Sequence, residues 1–241
     1  MSFNSLPFVV FFLAVLGLYR CLPHRGQNWL LLAASYYFYA SWDWRFLALL
    51  LASTAVSYGC GLLLGRLDGE RPRRAVLVAG LGVHLAALGF FKYFNFFAAN
   101  LQALLAPAGW RLDAFTVTVL LPAGISFYTF VAMGYLIDVH RRQTEPCRSP
   151  VDLGVFIGFF PTLLAGPIVR ASSLLTQIRA PRSPGAAQAA EGAWLLLWGY
   201  FKKMCVADNL ARVVSQVYGA DTAPGGLAIT LATVAFAFQI Y

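Results

Sequence analysis

The chain is poor in charge. Only 12% of its 241 residues are Asp, Glu, Lys or Arg, while 59% are hydrophobic, and the runs Met1 to Tyr19, Phe46 to Gly65 and Ala114 to Ile137 carry none. A soluble helical domain would show polar faces at helical spacing, and these runs are apolar all round. No positive charge precedes the first apolar run, whose first charged residue is Arg20, so a removable secretory signal is not expected and the first span is expected to stay. Acidic residues are scarce too, 10 against 18 basic, for a net charge of +8. That excess does not point to nucleic acid, because the basic residues are spread over short turns beside apolar runs, where topology and anionic lipid account for them. Histidine is represented by His24, His84 and His140 alone, and Cys21, Cys60, Cys147 and Cys205 show no paired spacing. The expectation is therefore no metal site and four unpaired thiols, with Cys21 and Cys147 on the reducing, cytoplasmic side. Phosphate-cradling glycine loops, nucleophile elbows and visible internal repeats are absent as well.

What the sequence has in quantity is apolar length. A spanning helix needs about 20 apolar residues, and besides the three charge-free runs, Gln27 to Trp42 and Ala75 to Phe91 are shorter candidates. The spacing predicts an all-α, multi-pass transmembrane protein with broken or re-entrant helices, forming one transmembrane domain over residues 1–241. Basic residues favour the cytoplasmic side of short loops. If the first span runs outside to inside, Arg20, Arg25, Arg66, Arg71, Arg73, Arg74, Arg141, Arg142 and Arg148 fall inside, and the Lys92 to Asp113 segment falls outside. The apolar run ending at Arg170 has basic residues on both flanks, which predicts a hairpin entering and leaving on one side. Phe90 to Phe97 reads as an interfacial aromatic belt with an amphipathic helix after it.

Two apolar runs are interrupted, at Pro122-Ala123-Gly124 and at Pro161 with Ala165-Gly166-Pro167. Backbone groups freed by Pro and Gly cannot face lipid, so such breaks are tolerated where protein or a wet cavity satisfies them. The chain is expected to wrap a polar path. Ser126, Tyr128 and Thr129, beside the first break, and Pro167, in the second, are the candidate path-lining residues. Their hydroxyls also have a plainer reading as ties between helices. His84 lies mid-span, where an ionisable group is a functional candidate, yet no acid or nucleophile is within helical reach, which favours packing against a neighbouring helix. His24 and His140, beside Arg25 and Arg141, read as interface markers. A long helix is expected over Ala189 to Tyr218. In it Lys202 and Lys203 either snorkel to headgroups or face an aqueous vestibule able to attract an anionic donor, and Asp208 can pair with Arg212 four residues on.

Several phrases occur in one order: Phe3-Asn4-Ser5, Tyr36-Tyr37-Phe38-Tyr39 before Trp42, Lys92-Tyr93, Leu121 to Phe130, Ile137-Asp138-Val139, Phe159-Phe160-Pro161, Ala165-Gly166-Pro167-Ile168 with Arg170, and Gly199 to Asp208. Together the set resembles the membrane-bound O-acyltransferase family, in its bacterial branch of alginate O-acetylation and teichoic acid D-alanylation. The resemblance implies a ring of helices around a thin centre in the bacterial inner membrane. An acyl group would pass from a cytoplasmic thioester donor, acetyl-CoA or an acyl carrier, to an exported polysaccharide such as alginate or to a periplasmic acetyl-relay protein. Membrane lipid would be the other partner, and no cofactor would stay bound. In that family the catalytic histidine lies in a tryptophan-histidine segment beyond the region matched here, so the resemblance implies an amino-terminal portion, inactive alone and with no catalytic residue of its own. None of His24, His84 and His140 stands in such a segment. Other readings of the same breaks are a transporter or channel and the inert remnant of a disrupted gene.

Overall fold

The computed structural model describes residues 3–105, 120–164, 166–220 and 224–240. Every regular element among them is helical, and they fall into two compact units, 1–182 and 183–241. The first unit opens with α1 (Leu6–Cys21), whose N-cap Ser5 side chain accepts from the Phe8 amide and whose Pro7 sits in the first turn, where its missing N–H costs nothing. After α2 (His24–Ala40), a short 3-10 turn at Trp44–Phe46 is capped by Asp43, which accepts from the Arg45 amide and guanidinium. The Arg45 hydrogen bonds hold the Asp43 carboxyl below the usual carboxylate range. Then follow α3 (Leu47–Arg66) and α4 (Glu70–Leu105). These two are long and apolar enough to cross a bilayer, and α1 and α5 (Ile125–His140) are shorter apolar helices.

Helix α4 differs from the sequence expectation. Its 36 residues form one uninterrupted helix through the aromatic stretch 90–97, about 54 Å long at 1.5 Å per residue, against a hydrocarbon core of about 30 Å. Lys92 and Asn95 ended the apolar run without ending the helix, since neither residue breaks a backbone and the Ala and Leu residues after them are strong helix formers. Residues 106–119, including Arg111, Asp113 and the start of the run from Ala114, lie outside the described residues, as does Ala165.

The core of this unit sits where α5 meets α3, α4 and two short helices, α6 (Pro150–Gly158) and α8 (Ala171–Arg179). Helix α5 buries Ile125, Tyr128, Thr129, Ala132, Tyr135, Leu136 and Val139, a stripe at three- and four-residue spacing that faces inward. Its Tyr135 hydroxyl accepts from the Cys147 amide and lies so close to Gly61 that any Cβ there would strike the ring. Close approach through small residues is how helices pack in lipid, where apolar surface alone gives no drive. Outward, α3 and α4 present Leu51, Leu63, Val78, Val83 and Leu85.

At nine residues, α6 is about 14 Å long and too short to cross. It runs through the four-residue α7 (Phe160–Leu163) and an irregular stretch before α8, and α6 and α8 pack together. Their far ends meet at one side chain: buried Asn28 donates to Asp152 Oδ1 at 2.8 Å, near the start of α6, and to the Ile178 carbonyl at 3.1 Å, near the end of α8, while its own oxygen accepts from Arg182. The segment from α6 to α8 therefore doubles back on itself.

The second unit contains α9 (Ala186–Phe201), a π-helical stretch (Lys202–Ala207), α10 (Asp208–Tyr218) and α11 (Gly226–Ile240). The long helix expected over Ala189 to Tyr218 is thus interrupted in its winding. This changes one pairing: Lys203 Nζ lies 2.8 and 2.7 Å from the two Asp208 carboxylate oxygens, in place of the expected Arg212 partner. Five-residue winding, seen in the Asp208 amide bonded to the Lys203 carbonyl, stacks residues 203 and 208 on one face. The four thiols are all free.

Candidate functional site

Both Pro-Gly segments are irregular where they are described, and they touch. Pro122 precedes α5 outside any helix, and Gly124 caps that helix in the left-handed region at φ 72°. A Cβ on Gly124 would overlap the Leu163 carbonyl oxygen, at the end of α7. In the second interruption the helix breaks at Phe159 (φ −56°, ψ 109°). Pro161 lies in the first turn of α7, and the Gly166 amide closes onto the Thr162 carbonyl at 3.0 Å. The polar groups that these breaks release find partners on α2. Ser35 Oγ accepts from the Phe160 amide at 3.2 Å, and the Tyr39 hydroxyl donates to the Ala123 carbonyl at 3.0 Å. Irregular backbone inside a bilayer would need such partners, because lipid supplies none.

Beside the first break a cavity of about 80 Å³ opens between α3, α4 and the start of α5. Its polar lining is Ser53, His84, Tyr128 and Thr129, among Leu49, Val56 and Val83, and it has room for a few water molecules. Tyr128 and Thr129 are buried to within 2% of full enclosure. The Tyr128 ring sits edge-on to that of Tyr39, centroids 6.3 Å apart, and its hydroxyl forms no hydrogen bond of ordinary geometry among the described residues. Ser126 is half-buried and Pro167 exposed, and neither lines this cavity. Lys202 and Lys203 belong to the second unit. There Lys203 is paired with Asp208, and Lys202 lies 5.7 Å from the Trp198 ring centroid.

His84 has a definite place. Its Nδ1 lies 3.3 Å from Ser53 Oγ and its Nε2 3.0 Å from Ser57 Oγ, both on α3. With both nitrogens within hydrogen-bond reach of hydroxyls on α3, the imidazole fastens α4 to α3, in agreement with the packing reading. His140 Nε2 lies 3.5 Å from Glu70 Oε1, which ties α5 to the start of α4. Among the described residues no group of His, Cys, Asp and Glu is arranged to hold a metal ion.

Other structural residues were not singled out by sequence reasoning. Arg73 is 95% buried, and its guanidinium donates to the carbonyls of Leu64, Leu67, Val139 and His140, thereby bridging the carboxyl ends of α3 and α5. Two converging helix ends supply the negative potential that a buried cation needs. In the sequence it was one arginine among four in a topogenic cluster, with nothing to set it apart. Asn28 had a weak signal: Gln27-Asn28 places two amides at the start of an apolar helix.

Compared with known proteins, the chain is 39% identical over 244 residues to the probable alginate O-acetylase AlgI of Pseudomonas putida, and 40% identical over 245 residues to that of Azotobacter vinelandii; in both cases all of this chain is covered. These relatives agree with the resemblance to the membrane-bound O-acyltransferase family read in the sequence. The chain is also 28% identical over 272 residues to the peptidoglycan O-acetyltransferase of Helicobacter pylori, with 99% of the chain covered. The chain spans about half the length of these curated relatives, 50%, 48% and 50% respectively. No family model and no solved structure matches it. The ordered phrases that suggested this family in the sequence lie on the elements just described. Tyr39, Leu121 to Phe130 and Phe159 to Pro161 are the parts that join the two interruptions. An all-α membrane protein is what such a family member is expected to be, and the apolar helices agree.

Proposed function

We propose that the chain forms part of an O-acyltransferase of the bacterial inner membrane, spanning it several times, that acylates a hydroxyl of an exported polysaccharide. The observation that carries this reading is 39–40% identity over the whole chain to probable alginate O-acetylases, for which acetyl is the group and alginate the polymer. In the reaction the acceptor hydroxyl oxygen bonds to the thioester carbonyl carbon, the C–S bond breaks, the thiol leaves, and a base takes the hydroxyl proton. The thioester, acetyl-CoA or an acyl carrier, approaches from the cytoplasm. The acceptor is the polymer or a periplasmic relay protein.

The part of this chain in that scheme is to hold irregular backbone around a polar path. Tyr128 and Thr129 are its lining residues, supported by their place on the cavity beside the first break, and Ser126 and Pro167 extend it. Lys202 and Lys203 are the basic residues that would face an anionic donor, Lys203 on exchanging its Asp208 partner for it. Acyl transfer to an alcohol needs a base and oxyanion donors, each contributing orders of magnitude in rate. None of His24, His84 and His140 stands in a tryptophan-histidine segment, so these 241 residues alone should not turn over.

The test uses a host deleted for its own alginate O-acetylase. The chain is expressed alone and joined to the remaining half of the Pseudomonas putida relative, and acetyl on the exported polymer is measured by NMR. Acetylation by the chimera alone is the expected result. A membrane-inserted chimera that leaves the polymer bare defeats the proposal.

A further inference from the structure

A second cavity, of about 260 Å³, opens where the carboxyl ends of α3 and α5 meet the first turns of α4. Its lining carries charges of both signs: Arg73 and Arg142, Asp68 and Glu145, with Thr144 between them. The Arg73 guanidinium is committed to four carbonyls. Arg142, Asp68 and Glu145 are exposed at its mouth and in no ion pair among the described residues, and the enclosed Oγ1 of half-buried Thr144 has no hydrogen-bond partner there. Opposite charges on one cavity that do not pair with each other leave positions for a ligand that carries both.

The backbone at this site is held in an unusual state. Arg142 adopts φ 60° just past the end of α5, with its amide on the Val139 carbonyl at 3.1 Å and the Gln143 amide on the Asp138 carbonyl at 2.9 Å. That is the bonding pattern of a helix end that ordinarily takes glycine. An arginine tolerated there, on the wall of a charged cavity, is the kind of outlier that raises a functional hypothesis.

The geometry points to a binding site for a zwitterionic phosphate–ammonium ligand, specifically the phosphoethanolamine headgroup of a membrane phospholipid. Arg142, with the buried positive charge of Arg73 behind it, takes the phosphate, and Asp68 and Glu145 take the ammonium, whose three N–H groups suit carboxylates. The cavity volume equals about nine waters' share of liquid at roughly 30 Å³ each, enough for the eight heavy atoms of phosphoethanolamine. The source is lipid because of depth. The 20 largely apolar residues of α3 end at this cavity, at about the full hydrocarbon thickness, and Arg66, Arg71, Arg74 and Arg141 flank the same helix ends in sequence, as at a headgroup layer.

The full chain is purified into nanodiscs of mixed dioleoyl phosphatidylethanolamine, phosphatidylcholine and phosphatidylglycerol, and the co-purifying lipid is counted by native mass spectrometry. The expected result is at least a tenfold enrichment of phosphatidylethanolamine over both others, since choline has no N–H and glycerol no positive charge. Two variants separate the halves of the site. D68N/E145Q should reduce the preference over phosphatidylglycerol to threefold or less. R142G, which suits the left-handed backbone and so keeps the fold, should cut retention of every phospholipid at the site. Equal retention of the three lipids, or an unchanged preference in both variants, overturns the site. Soluble phosphoethanolamine bound as tightly as the diacyl lipid overturns the membrane source.

Discussion

Replacing Gly124 with alanine should damage both interruptions through one carbon atom. Two costs follow from the geometry. At φ 72° an L-residue in the left-handed region pays about 1–2 kcal/mol. The new Cβ would also overlap the Leu163 carbonyl oxygen, and this is backbone, fixed by α7 and unable to swing aside as a side-chain tip would. Forcing extra volume into such a contact costs about 1–3 kcal/mol. Together the expected loss is about 2–5 kcal/mol, measured as the shift in unfolding free energy on titration with SDS in mixed micelles. Gly134→Ala is the control, since a Cβ there meets nothing within 4 Å. In a helix interior that change should stabilise, by up to about 1 kcal/mol. If Gly124→Ala stays within about 0.5 kcal/mol of the parent, well under the left-handed cost alone, the contact between the interruptions is not as described.

Other expectations concern neighbouring elements. Arg73→Met leaves four carbonyls without their donor and should cost about 2–4 kcal/mol in the same titration, since each orphaned buried acceptor costs about 1–3 kcal/mol before water or relaxation reaches it; Arg73→Lys should recover only part, because one ammonium cannot span two helix ends. A stability equal to the parent's in both variants would show that the guanidinium bridge is not needed. His84→Leu removes two interhelical hydrogen bonds worth about 0.6 kcal/mol each in membrane proteins, so a loss near 1 kcal/mol is expected, with polymer acetylation by the chimera retained. Complete loss of acetylation in that variant, at normal abundance, would make His84 more than a fastener. For orientation, single cysteines placed at Arg74 and Arg148 in a background lacking the four native thiols should be shielded from an impermeant thiol reagent in intact cells, and one at Asp113 should label. The inverse pattern rejects the inside assignment of the basic turns.

The interruptions were legible because Pro and Gly inside an uncharged run have few innocent explanations, and the structure puts both breaks in one place. Their meeting was not legible. It depends on Leu163 reaching Gly124 across 39 positions of sequence, and on Ser35 and Tyr39, whose spacing on α2 looks like any part of an aromatic-rich apolar helix. Helix α4 was cut short at Phe91 because charge was used as the stop signal, although a lysine with a long apolar stem can sit on a continuous helix and send its ammonium outward. The π winding at Lys202–Ala207 had no Pro or Gly to mark it, so the sequence pointed to Arg212, four residues on, and not to Lys203, five residues back, as the partner of Asp208. Arg73 was hidden for a different reason. Its neighbours Arg71 and Arg74 are exposed, and only the three-dimensional convergence of α3 and α5 separates the buried arginine from them.

Because Ser35 and Tyr39 are four residues apart on one helix and each serves a different interruption, α2 acts as a common ruler for both. Sliding or unwinding that single turn would release the Phe160 amide and the Ala123 carbonyl together. The two irregular segments are therefore expected to exchange their amide protons at a shared rate, opening as one event though they are far apart in the chain.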